Sequence, residues 1–325
     1  MSGAAKVLIT ARGVAASAAA LAHLRAAGCE VVVREPPTPL SEEWLLEQTR
    51  DAAGLIFAME PVSARLIAAA AALKVIARPA VGYDTVDIAA CTARRIPVTL
   101  AVGTNHESVA DFTLALLLAA ARGLPEAAAA TQRHEWLRCI GTEVWGKSLT
   151  LIGLGRIGRA VARRARGFEM RVRAVTRSPD AEFAARHGLE YVALEEGLRL
   201  ADFVSLHAPL TSATQRMINA QTLGWMKSGA YLINTARGGL IDEAALAAAV
   251  RDGRLAGAAV DVLEEEGAHS HSPLLGVPGI VVTPHMATFS REAMERAALA
   301  AADSVVQVLQ GRRPAHVVNP AVYES

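Results

Sequence analysis

The sequence predicts an α/β protein of two domains built on parallel sheets. Three observations carry that expectation. The chain has 325 residues, more than one hydrophobic core usually serves. It is 52% hydrophobic and 20% charged, apolar enough to bury large cores. Short β-branched runs alternate with longer Ala- and Leu-rich stretches, as strands alternate with crossover helices.

In the first hundred residues, Val7-Leu8-Ile9, Val31-Val32-Val33, Leu55-Ile56-Phe57, Val75-Ile76 and Val98-Thr99 read as strands. Residues 15–27 and 62–72 read as helices between them, giving a parallel sheet covered on both faces. Residues 107–121 are rich in Ala, Leu and Phe, so this helix is expected to be buried on most sides. A second series of six strands comes next, at 149–152, 171–175, 203–206, 231–233, 258–260 and 280–282, a doubly wound pattern. A last helix over 291–310 stops at Gly311.

A net charge of +1 gives no basic surplus for nucleic acid or an anionic membrane. The three cysteines, Cys29, Cys91 and Cys139, form no CxxC pair and no disulfide framework, which fits a reducing cytoplasm. The N-terminus enters directly into a strand-like run and lacks the basic start and apolar stretch of a signal peptide. The longest apolar run, over 113–121, is about half of the ~20 residues a membrane helix needs.

Gly153-Leu154-Gly155-Arg156-Ile157-Gly158 is a GxGxxG run with an apolar strand before it and a helical pattern over 159–166 after it. In that context Gly153 permits the tight turn, Gly155 lets backbone approach a pyrophosphate, and Gly158 lets helix pack on strand. Backbone N–H groups of Arg156 and Ile157 at the helix start are expected to hold the phosphates. An NAD site places Asp or Glu about 20 residues past such a motif, on the ribose 2′-hydroxyl. Here Thr176 stands there, with Arg177 and Ser178 next. Loss of the carboxylate removes repulsion, and an arginine fork pairs with a 2′-phosphate, so NADP is favoured, with NAD as the alternative.

Arg237 comes after a buried strand and precedes Gly238-Gly239, at the carboxyl end where open α/β sheets bind ligands. Its planar fork suits an anionic ligand. Among the nine histidines, His285 follows residues 280–283 and Pro284.

Val81-Gly82-Tyr83-Asp84, Gly103-Thr104-Asn105, the glycine run, His207-Ala208-Pro209-Leu210-Thr211, Ile233-Asn234-Thr235-Ala236-Arg237-Gly238, Asp261-Val262 and Thr283-Pro284-His285 occur in this order over nearly the whole chain. Together they resemble the D-isomer-specific 2-hydroxyacid dehydrogenases, a family of phosphoglycerate dehydrogenases and glyoxylate, hydroxypyruvate and related keto acid reductases. The resemblance implies a doubly wound Rossmann cofactor domain, residues 102–286, inserted in a smaller flavodoxin-like substrate domain, residues 1–101 plus 287–325. It implies a hydride exchanged between NAD(P)H and a small 2-keto or D-2-hydroxy acid, with Arg237, Glu266 and His285 as the catalytic set and no metal. Gly267 stands where the family has proline, and Glu264 and Glu265 are adjacent, so the register of the glutamate stays open.

Further implied roles are substrate contact by the Val81-Gly82 backbone and by Arg237, and a substrate or hinge role for Asn105. Cofactor contacts are implied for His207, Ala208, Pro209, Thr214, Thr235, Ala236, Arg237, Asp261, His285 and Ala287. Tyr83 and Trp136 are candidates for shaping the pocket. A homodimer joined near residues 107–121 is expected. A formate dehydrogenase, which pairs its histidine with glutamine, fits these carboxylates poorly. The alternatives kept are a D-3-phosphoglycerate dehydrogenase without a regulatory domain, for which 325 residues leave no room, and a nicotinamide-sensing corepressor-like binding protein. A nucleotide-binding structural protein leaves Arg237 and His285 unexplained.

Overall fold

A computed structural model of the protein describes residues 4–37 and 41–324. The chain forms two compact units, Met1–Asn105 with Phe289–Ser325, and His106–Thr288. Residues 102–105 therefore count with the first unit and 287–288 with the second.

The first unit holds strands β1 (Lys6–Ile9), β2 (Glu30–Val33), β3 (Gly54–Ile56), β4 (Val75–Arg78) and β5 (Val98–Leu100). They form a parallel sheet in the order β2-β1-β3-β4-β5, the flavodoxin-like order. Successive side chains of a strand point to opposite faces, and the core divides accordingly. Val7, Ile9, Ile56, Val75 and Ala77 pack on Ala298, Ala301, Ala302 and Val305 of the helix Arg291–Leu309. Leu8, Leu55, Phe57 and Ile76 pack on Leu45, Leu66 and Ile96. The helix expected over 15–27 is two, Arg12–Ala15 and Ala18–Ala26. Ser17 interrupts them because its hydroxyl caps the second by accepting the Ala20 N–H at 3.0 Å.

The second unit holds β6 (Ser148–Ile152), β7 (Arg171–Val175), β8 (Glu190–Tyr191), β9 (Phe203–Leu206), β10 (Ala230–Asn234), β11 (Leu255–Val260) and β12 (Ile280–Val282). The order β12-β11-β10-β9-β6-β7-β8 is parallel throughout. β8 adds a seventh strand to the six expected, because two residues carry no readable alternation. The chain reverses its direction of winding between β6 and β9, and such a switch point opens a crevice at the strand carboxyl ends. Helix His106–Arg122 lays Ala110, Leu114, Leu117 and Ala121 on Leu149, Leu151, Phe203 and Ile233. It is buried on most sides, as expected, with only the stripe of Asp111, Ala115 and Arg122 exposed. No single helix among the described residues is long and apolar enough to cross a membrane; this helix and Leu124–Gln132 pass together only as a pair bent by 70°.

Candidate active site

The glycine turn leaves β6 and opens helix Arg156–Ala165. Gly153 has φ +99°, and a Cβ there would meet the His207 carbonyl oxygen at 2.6 Å. At Gly158 a Cβ would lie 2.2 Å from the Gly153 oxygen. At Gly155, the helix N-cap, a Cβ would meet nothing within 4 Å. Two glycines thus close the turn and the third faces open space, beside helix N–H groups of Arg156 and Ile157 that have no intrahelical acceptor. This cradle fits a pyrophosphate.

Behind the turn, His207 N–H donates to the Ile152 carbonyl at 2.7 Å. The His207 Nε2 lies 3.0 Å from Ser205 Oγ, and its buried Nδ1 finds no partner among the described residues. Desolvation holds the imidazole neutral, its pKa pushed down to about 3. Thr214 Oγ1 donates to the Pro209 carbonyl at 2.7 Å and closes the loop after Ala208.

At the end of β7, Thr176 is half-buried while Arg177 and Ser178 are exposed. The Ser178 N–H donates to Thr176 Oγ1 at 3.3 Å. Asp180, the next carboxylate along, is already engaged. It caps the Phe183 N–H at 3.0 Å and pairs with Arg159 Nη1 at 2.7 Å, and these contacts hold its carboxyl below the usual range.

β10, β11 and β12 are neighbours in register, with Asn234 beside Val260 and Val260 beside Val282. Arg237, Asp261 and His285 therefore leave the sheet along one carboxyl edge. Asn234 is fully buried and clamps the turn: its Nδ2 donates to the Arg237 carbonyl at 2.9 Å and its Oδ1 accepts the Ala236 N–H at 3.0 Å. Thr235 turns its hydroxyl to Thr113 at 2.9 Å. Arg237 Nη1 donates to the Ala236 carbonyl at 2.7 Å, and no other hydrogen bond reaches its fork among the described residues.

His285 adopts φ +51°, and its N–H donates to the Asp261 carbonyl at 2.8 Å. Asp261 is 1% exposed and gathers this turn. Its Oδ1 accepts from Thr283 Oγ1 at 2.6 Å and the Met286 N–H at 2.9 Å, and its Oδ2 from the Ala287 N–H at 2.8 Å. Ser108 Oγ in turn donates to the Ala287 carbonyl. His285 Nδ1 lies 2.8 Å from Glu266 Oε2. Glu264 instead meets Arg216 at 3.1 and 3.2 Å, so the structure places Glu266, and not Glu264, against the imidazole. With Nδ1 on a carboxylate, Nε2 is the nitrogen left to exchange a proton with a substrate.

In the first unit, the turn after β4 carries Val81 and Gly82. Their N–H groups donate to nothing among the described residues, while Arg78 Nη1 donates to the Gly82 carbonyl at 2.6 Å and fixes the turn from below. Asn105 is the last residue of this unit's first segment. Tyr83 is 43% exposed in the first unit and Trp136 is 79% exposed in the second.

Sequence reasoning missed the clamping roles of Asn234 and Arg78. Each is a buried polar side chain at a strand end, and polarity at that position is the one signal that marks it.

Residues 114–287 match the family model described as D-isomer specific 2-hydroxyacid dehydrogenase, NAD binding domain. A glyoxylate reductase of Korarchaeum cryptofilum is 39% identical over 87% of this chain and 88% of that protein. A D-3-phosphoglycerate dehydrogenase of Methanocaldococcus jannaschii is 40% identical over 89% of this chain and 56% of that longer protein. A crystal structure of a Thermus thermophilus protein superposes with a TM-score of 0.87 at 41% identity, covering 96% of this chain and 99% of that one. The chain belongs to the D-isomer-specific 2-hydroxyacid dehydrogenase family and is a nicotinamide-dependent oxidoreductase.

Proposed function

We propose that the protein reduces a small 2-keto acid, glyoxylate or hydroxypyruvate, to the D-2-hydroxy acid, with NADPH preferred over NADH. The observation that carries this reading is the Glu266–His285 pair at 2.8 Å on the edge that also bears Arg237. When bound, the nicotinamide cofactor supplies the hydride to the substrate's second carbon. The glycine cradle and the loop closed by Thr214 hold its phosphates and orient it. The Arg237 fork binds the substrate carboxylate. His285 Nε2 gives its proton to the carbonyl oxygen while Glu266 holds the ring by Nδ1. Oxidation runs each step in reverse. Positioning and charge complementarity supply the rate.

NADPH preference is supported by Thr176 in place of a carboxylate and by the exposed Arg177 and Ser178 beside it. The 40% identity to the phosphoglycerate dehydrogenase supports a second reading with a phosphorylated substrate. Three free cysteines support a cytoplasmic location. A homodimer is supported by the large apolar side chains Trp136, Leu137, Ile140 and Trp145, each exposed on the second unit.

The test tracks NADPH and NADH absorbance with glyoxylate, hydroxypyruvate and phosphohydroxypyruvate. Turnover with glyoxylate or hydroxypyruvate, reduced at least ~100-fold in Arg237→Ala and in His285→Ala, is expected. Turnover with phosphohydroxypyruvate alone would select the second reading. Cofactor binding without turnover would refute both.

A further inference from the structure

Glu243 is a charged residue buried where no catalytic step uses it. It opens helix Glu243–Arg251 directly after the N-cap Asp242, and it is 7% exposed. Its Oε1 accepts the Glu264 N–H at 2.7 Å, and its Oε2 accepts the Ser272 hydroxyl at 2.6 Å. A buried carboxylate is costly unless its oxygens are satisfied, and the helix N-terminus adds a favourable dipole. These two bonds span the segment that carries Glu266. Residues 264–269 are all exposed and form no helix or strand. Inside the segment the one backbone bond runs from the Ser270 N–H to the Gly267 carbonyl at 3.1 Å. An exposed, irregular segment takes its geometry from its anchors.

The anchoring is local to the reactive edge. A Cβ at Gly238, next to Arg237, would lie 2.0 Å from the Leu263 carbonyl carbon, so the Arg237 turn and the start of the Glu266 segment are in direct backbone contact. Ser272 is 8% exposed, and its hydroxyl also accepts the Leu274 N–H at 3.3 Å, ahead of the buried Leu274. The Arg216–Glu264 pair is half-exposed on both sides, and ion pairs of that kind contribute little. Glu243 is the buried link between the two ends.

We propose that Glu243 is a positioning residue for the reaction: its carboxylate ties Glu264 to Ser272 and so sets Glu266 against His285. This rests on the proposed role of Glu266. The test is a double-mutant cycle on the full-length enzyme with the keto acid it turns over. Glu243→Ala is expected to lower kcat by about 10- to 100-fold, because small misplacements of a catalytic group cost that much. The KM for the cofactor should stay within about twofold, since the glycine cradle is untouched. Glu243→Gln should restore most of the activity, because a serine hydroxyl accepts as well as donates and the amide satisfies both partners. In a Glu266→Gln background, Glu243→Ala should cost no more than about a further twofold. Hydrogen exchange of the peptide over 263–274 should accelerate in Glu243→Ala and not in Glu243→Gln. If Glu243→Ala does not fold, Ser272→Ala cuts one end only, with a severalfold loss of kcat and faster exchange expected.

Equal losses from Glu243→Ala with and without Glu266 would overturn the tether while leaving the role of Glu266 intact. Unchanged exchange over 263–274 would overturn it too. A silent Glu266→Gln would overturn the reading of Glu266 itself, and the catalytic purpose of the tether with it.

Discussion

His207 supports the glycine turn with an imidazole that the fold keeps neutral, and this makes a measurable demand on stability at low pH. Desolvation lowers its pKa from 6.5 to about 3. In the unfolded chain the ring takes a proton near 6.5, in the folded chain only near 3. Between those values the unfolded state binds more protons, so stability falls as pH falls. The contribution is intact above 6.5, is lost at about 1.4 kcal/mol per pH unit below it, and levels off below about 3. From pH 6.5 to about pH 4.5 the loss is about 2 kcal/mol, an upper figure because the residue as a whole keeps some exposure. For a domain of this size that is about 4–8 °C in Tm. Thermal unfolding of the wild type and of His207→Gln across this range isolates the ring, since glutamine retains a partner for Ser205 and does not titrate. The wild type should lose about 2 kcal/mol more than the variant as pH falls. Parallel pH dependences would refute the assignment of a neutral, desolvated His207.

Three other outcomes are expected. Gly155→Ala should leave Tm nearly unchanged and weaken cofactor binding by about tenfold or more in a fluorescence titration, because its Cβ enters open space reserved for the ligand; Gly158→Ala, with a Cβ 2.2 Å from the Gly153 oxygen, should lower both Tm and affinity. Asp261→Asn turns an amide donor toward the N–H groups of Met286 and Ala287 or the Thr283 hydroxyl, so a stability loss of about 2 kcal/mol with roughly a tenfold or greater drop in kcat is expected; an unperturbed variant would show that Asp261 does not hold the His285 turn. A thiol reagent at about pH 8 should titrate exposed Cys139 quickly and Cys91 only in denaturant, because burial, with Asp87 adding, pushes the Cys91 thiol up to about 12; fast reaction of all three cysteines in the native state would contradict the packing.

The sheets were legible because their strands are short continuous apolar runs, which parallel sheets buried on both faces require. β8 was not, because Glu190 and Tyr191 form an edge strand too short to show a pattern. The glycine turn was legible because its backbone geometry demands glycine wherever Gly153 and Gly158 touch neighbouring backbone. The first helical turn, Arg156 to Gly158, lies inside the glycine run, so the regular helical pattern shows only from Arg159 onward.

Local chemistry along the chain determined the fold class and the cofactor cradle, and the resemblance that its motifs carry made candidates of Arg237 and His285. These depend on neighbours in sequence: a turn needs its glycines beside its strand, and the residues just past a strand end are presented at the sheet's carboxyl edge. The resemblance implies Glu266, and only tertiary structure separates it from Glu264 and Glu265, since the contact depends on which carboxylate reaches His285 after a 19-residue detour. The work of Asn234, Glu243 and Asp261 was decided there as well. A buried polar group is identified by the partners that satisfy it, and those partners meet only when β10, β11 and β12 lie side by side.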